Sequence, residues 1–295
     1  MLRLLRSEIF RLRKRWMPWI LLGMIVLLAF VAYELIWVSS NIQLQLLRSG
    51  NAPASPTGLP PEALIKAVEN TIDSLRPARL TEAGLSVVTG LGSILLIVFS
   101  ASHVGTEWAW GTLRTVLASG ASRGGFLVSK YASLIGFALL YTIVGVTAMI
   151  AASFVIATQA GLDTSGLDVE KVAASAARGL YGYFPYMSLA SLIALWFRSA
   201  GGGIAAGLVI NFTESIVAGL LISFNKDFAS IANFGLSRNV QSLARVGAPA
   251  GSGPTTSVIA PLPDPVQAAV VLAVWTAIFV ALAFWRLRSR DITLA

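Results

Sequence analysis

Residues 103–130, HVGTEWAWGTLRTVLASGASRGGFLVSK, lie between two long apolar runs and form a short polar hinge at a membrane surface. From Glu107 to Ser119 the pattern predicts an amphipathic helix. Ala109, Trp110, Leu113, Val116 and Leu117 follow the i, i+1, i+4, i+7, i+8 template of a single apolar stripe. Glu107, Gly111 and Arg114 gather on the opposite side, Glu107 and Arg114 being close to two full turns apart. Trp108 and Trp110 suit the headgroup level. Gly120–Gly124 (GASRG) breaks the helix, and Lys130 opens the next apolar run. A short surface helix joined stiffly to two spans passes a push into the membrane. On the residues alone, a plain interfacial connector fits equally well.

Outward from the hinge, the composition demands a bilayer. Of 295 residues, 56% are hydrophobic and only 12% are charged, where soluble domains run nearer a quarter charged. Six runs approach or exceed the roughly 20 apolar residues that cross a hydrocarbon core: 17–39, 84–104, 126–158, 181–198, 201–223 and 266–286. The third is long enough to tilt or to extend past one interface. Only Arg198–Ala200 separate the fourth and fifth, and three glycines follow that turn. The expected fold is an all-α integral membrane protein of one polytopic domain, 1–295, with six transmembrane helices.

Basic residues give the orientation. They crowd the N-terminus (Arg3, Arg6, Arg11, Arg13, Lys14, Arg15), the hinge (Arg114, Arg123, Lys130), the turn at Arg198 and the C-terminus (Arg286, Arg288, Arg290). In the longer intervening loops, acids balance the basic residues. Both termini and the hinge are therefore expected in the cytoplasm, in a multi-pass protein of the cell membrane. The first apolar run is too long for a signal-peptide core and lacks a small-x-small cleavage site, so it reads as a retained anchor. Ahead of it, Leu2, Leu5, Ile9 and Leu12 make one apolar stripe with arginines around it. This predicts an interfacial helix lying in the headgroup layer beside anionic lipid. In the outer loops, 62–76 and the segment bearing Phe228, Ile231 and Phe234 are expected to form helices over the outer mouth.

Several chemistries are excluded. The net charge of +8 flanks apolar runs instead of lining an aromatic-bearing groove, which argues against nucleic acid. No cysteine is present and His103 is the single histidine, leaving no metal centre. There is no G-x-x-x-x-G-K-[ST] to cradle phosphate. Gly120–Gly124 satisfies G-x-S-x-G, but a nucleophile elbow needs a strand before it and a histidine base. The chain is expected not to be an enzyme and to hold no cofactor, and His103 reads as an interfacial residue. Polar groups do occur within spans, where a carboxylate costs about 2.5–3.5 kcal/mol at mid-bilayer. Glu34, and the Asn211, Glu214 and Ser215 stripe, are candidates for a substrate path. Each carboxylate could equally snorkel or pair with a neighbouring helix. Gly203 and Gly207 form a G-x-x-x-G step for close helix packing, within the chain or at a subunit interface.

The hinge resembles the signature region of type-2 ATP-binding-cassette transporter permeases. There a glutamate precedes a Gly-Thr-Leu/Met-Arg/Lys step, and a small-Ser-Arg turn leads to a lysine that opens the third span. The matching residues are Glu107, Gly111, Thr112, Leu113, Arg114, Ser122, Arg123 and Lys130. The basic N-terminus, six spans and inside termini match as well. The resemblance implies a coupling helix between spans 2 and 3 that contacts a separate ATPase subunit through Glu107, Gly111, Thr112, Arg114 and Arg123. It implies two permease subunits, identical or related, around one path, with ATP bound only by the partner, and export as the direction. A non-transporting scaffold or sensor partner of an ATPase is the alternative, ahead of an intramembrane enzyme.

Overall fold

Inside hydrocarbon every backbone N–H and C=O must be satisfied within its own segment, so charge-poor runs become helices. The computed structural model describes residues 2–50, 60–120, 122–246 and 261–289, without the side chains of Leu2, 82–89, Arg114, Leu117 and Lys226. The described elements are all helical. In chain order they are α1 (Leu2–Lys14), α2 (Trp16–Arg48), α3 (Pro61–Asp73), α4 (Leu80–Ala109), α5 (Thr112–Ala118), α6 (Arg123–Gln159), α7 (Val169–Phe197), α8 (Ala200–Phe224), α9 (Ala229–Ala232), α10 (Leu236–Ala244) and α11 (Pro265–Ser289). Six of them, α2, α4, α6, α7, α8 and α11, are long and apolar enough to cross a membrane, and the chain is a multi-pass membrane protein by that measure.

The long helices alternate in direction. On one face, here the terminal face, lie α1, the 110–122 elbow, the Arg198–Ser199 turn and the end of α11. Contacts across that face include Lys130 to Glu8 and Arg123 to the Leu287 and Arg288 carbonyls. On the opposite, distal face lie α3, the 160–168 loop, α9 and α10. There the Ser153 hydroxyl donates to the Leu75 carbonyl at 2.6 Å, and Arg48 pairs with Glu69 at 2.9 Å.

The span windows of α4 and α7 are 72% and 67% buried, against 11% for α8 and 22% for α11, so α4 and α7 form the core. Small residues on α8 let it approach both closely. A Cβ on Gly203 would lie 2.7 Å from the Ala194 Cβ, and one on Gly207 would lie 2.9 Å from Ile97 Cγ2. The G-x-x-x-G step therefore seats α8 on α4 and α7 within the chain, not at a subunit interface. At the terminal face, a Cβ on Gly105 would lie 2.5 Å from the Ala200 backbone. Only glycine lets α4 touch the α7–α8 turn, which Arg198 makes in the left-handed region (φ 54°) and Ser199 caps by accepting from the Gly202 amide.

Two expectations need correction here. The helix expected over Glu107–Ser119 is split. α4 runs on to Ala109, where the Trp110 amide donates to the Thr106 carbonyl and the Gly111 amide to the Trp108 carbonyl. Gly111 then takes φ 65°, the left-handed position that ends helices, and α5 is a separate piece starting at Thr112. Ala109 and Trp110 consequently point outward, while Leu113 is buried. On the distal face, the helix expected to carry Phe228, Ile231 and Phe234 is a single turn, α9, that holds only Ile231 of the three, and all three side chains are exposed. Most of the Gly/Pro-rich 247–265 stretch lies outside the described residues.

Candidate functional site

The terminal face holds a buried ionic cluster that joins four elements. Lys130, about two turns into α6, is wholly buried. Its Nζ donates at 2.7 Å to Glu8 Oε2 of α1 and at 2.7 Å to Glu107 Oε1 near the end of α4. Glu107, 1% exposed, also faces Arg11 at 3.3 Å and Arg15 at 3.4 Å, and it accepts the Thr112 hydroxyl of α5. Arg11 lies 3.5 Å from Glu8. A buried ammonium or carboxylate is tolerable only with partners and hydrogen bonds of this quality.

His103 completes the cluster. The Ser133 hydroxyl donates to the Lys130 carbonyl, so at the 2.8 Å contact between His103 Nε2 and Ser133 Oγ the imidazole is the donor. That places a proton on Nε2, which also lies 3.7 Å from Glu8 Oε2, and Nδ1 is buried without a partner among the described residues. His103 is thus buried against α6 and stacked on Phe99, at the end of α4 that lies on the terminal face. Histidine apart, two carboxylates (Glu8 and Glu107) face three cations (Lys130, Arg11 and Arg15).

The consequence is mechanical. The Glu107 carboxylate bonds the first residue of α5, the buried lysine of α6 and two arginines of the α1 segment. Displacing the elbow without moving α1, α4 and α6 would strip partners from a buried charge. Of the hinge residues singled out by sequence, Glu107 and Thr112 join in this cluster. Gly111 supplies the positive φ at an exposed bend. Arg123 is placed elsewhere, holding the end of α11. The side chain of Arg114 lies outside the described residues. Glu107 has no free surface for direct contact with another protein. Among the described residues, the exposed part of the elbow is Trp110, Gly111, Thr115 and Ala118–Gly120.

Sequence reading missed Glu8, and with it the way α1 faces. Ile9 and Phe10 are 48% and 62% exposed, while Glu8, Arg11 and Arg15 turn inward. The available signal was that Glu8 is the sole acid before Glu34 in a strongly basic stretch.

The second polar region is distal. Asn211 and Ser215 of α8 line a cavity of about 380 Å³ with Ser93 of α4, Tyr186 of α7 and Gln241 and Arg245 at α10. Glu214 does not line it. Its Oε1 accepts from the Ser237 amide at 2.9 Å, capping α10, and its Oε2 is buried without a partner among the described residues. The expected Asn211–Glu214–Ser215 stripe therefore divides into cavity lining and helix cap. Glu34 on α2 is half-buried and is not brought to this cavity. Among the described residues no cluster of histidine and carboxylates could hold a metal.

Residues 78–293 match the family described as "Protein of unknown function (DUF2705)", and the chain belongs to that family. The match takes in α4 through α11, so Glu107 and Lys130 lie inside it and Glu8 lies outside. No curated protein matches the chain.

Proposed function

We propose that this DUF2705 protein is the membrane-spanning permease subunit of an ATP-driven transporter, an exporter, with its terminal face in the cytoplasm of a cell membrane. A separate ATPase subunit docks on the exposed side of the 110–120 elbow, and a second copy of the chain or a related permease completes the path. The chain binds no nucleotide itself. The observation that carries this reading is the Glu107 carboxylate, which welds the elbow to two spanning helices and to α1. Nucleotide-driven closure of the partner would push α5, and the weld would turn that push into a tilt of α4 and α6. The resemblance of the hinge to type-2 permeases and the basic terminal face support the same reading. Glu107 acts from behind the docking surface, while Trp110, Gly111 and Thr115 meet the partner. The distal cavity lined by Asn211 and Ser215 is the place for solute along the path. Glu214 holds α10 beside it, and Glu34 stands apart from it.

Purification of the full chain from its host in mild detergent should recover a P-loop ATPase. A bulky change on the exposed elbow, Ala118→Arg, should lose that ATPase while leaving elution of the permease unchanged. Cysteine placed at Trp110 should react with a membrane-impermeant maleimide only after cells are opened. Reaction in intact cells would put the elbow on the outside and end this reading.

A further inference from the structure

Beside the ionic cluster, where α1 gives way to α2, a cleft of about 360 Å³ opens between the α1–α2 joint and α4. Its walls are apolar, chiefly Met17 and Phe99, and two indoles flank it, Trp16 and Trp110, 83% and 63% exposed. His103 and Thr106 lie at its polar end. Arg15 stands at the mouth. It is the extended residue between the two helices (φ −83°, ψ 137°), and its guanidinium lies 4.7 Å from the Trp110 ring centroid. Exposed tryptophans beside a cation mark the headgroup level of a bilayer, and an apolar slot directly beneath is the size and character of a site for acyl chain.

Charge selects the lipid. The cluster behind the cleft has three cations for two carboxylates, and the two acids are already held at 2.7 Å by Lys130. Arg15 makes only longer contacts, 3.4 Å to Glu107 and 3.4 Å to Thr106, and its side chain is 21% exposed. Arg11 is held as loosely, but of the three cations only Arg15 lines the cleft. Exposed Arg13 and Lys14 beside it add to the local positive field.

We propose that this cleft binds one anionic phospholipid from the leaflet on the terminal side, its phosphate on Arg15 and an acyl chain along Phe99 and Met17. The headgroup shares Arg15 with Glu107, so lipid occupancy loosens the hold of α1 on the elbow while Lys130 keeps α4 and α6 joined. The binding itself is independent of the transport reading and is measured without an ATPase.

The test is native mass spectrometry of the full chain, delipidated and then titrated with phosphatidylglycerol or phosphatidylcholine. Wild type should retain a single phosphatidylglycerol under conditions that strip phosphatidylcholine. Arg15→Gln should weaken that retention about tenfold, and Arg15→Lys should restore most of it. Arg13→Gln, an equal charge change on the exposed side of α1, should leave it within about twofold. An equal loss in Arg13→Gln would reduce the effect to diffuse attraction by a basic helix and overturn the site. So would equal retention of both lipids, displacement by soluble glycerol phosphate, or an Arg15-dependent dimer with no lipid.

Discussion

Glu107 on α4 and Glu214 on α8 are both carboxylates carried by membrane-crossing helices, and the chain satisfies them in opposite ways. Glu107 faces a buried lysine at 2.7 Å, two arginines and a hydroxyl. Glu214 meets only backbone amides at the start of α10, those of Leu236 and Ser237, and leaves its second oxygen unpartnered among the described residues. The first arrangement resists change, because every motion exposes an uncompensated charge. The second leaves a charged oxygen unanswered where a short helix, itself packed on α7, α8 and α11, borders the distal cavity.

The sharpest way to break this contrast is to remove the lysine. Lys130→Met should leave Glu8 and Glu107 with the longer arginine contacts and the Thr112 hydroxyl and cost about 3–5 kcal/mol, the range for breaking one side of a buried ion pair. Thermal unfolding in detergent, or loss of the monodisperse peak, reads the effect. A Lys130→Met protein as stable as wild type would mean that the cluster holds nothing together.

Glu107→Gln should come next, losing about 2 kcal/mol, because the amide still accepts from Thr112 while the charge-assisted bonds to Lys130, Arg11 and Arg15 weaken. Adding Lys130→Met to Glu107→Gln should cost less than the two changes separately, with a coupling above about 1 kcal/mol. Additive losses would show that the two residues act independently, and the picture of a weld would fail with them.

The sequence made one half of this contrast far more legible than the other. The six spans stand out because long charge-poor windows have few structural options. The elbow is found by its glycines, tryptophans and charges, and Asn211 and Ser215 by their four-residue spacing on one helix face. What the elbow is made of was less visible. A periodicity of 3.6 runs unbroken through Glu107–Ser119, since a single residue at positive φ leaves no trace in the apolar spacing, and Gly111 breaks the helix there. The Glu8–Lys130 bond joins residues 122 positions apart, beyond any local pattern. The split of the distal stripe was equally hidden, because what takes Glu214 away from the cavity is a backbone amide of α10, and every residue has one.

Glu214→Gln sharpens the contrast at its weak end and should show the smallest change. The amide oxygen keeps the bond from the Ser237 N–H, so the α10 cap survives, and caps of this kind are worth about 1 kcal/mol. The substitution also removes a formal charge whose second oxygen has no donor, and desolvating that charge is a standing cost at membrane depth. The two effects oppose, so unfolding should shift by less than about 1 kcal/mol, toward stability if either way. The same chemical change, carboxylate to amide, should therefore be damaging on α4 and nearly silent on α8. Equal losses in the two variants would show that Glu214 has a charged partner in solution, and the distal end would then be as rigid as the terminal one.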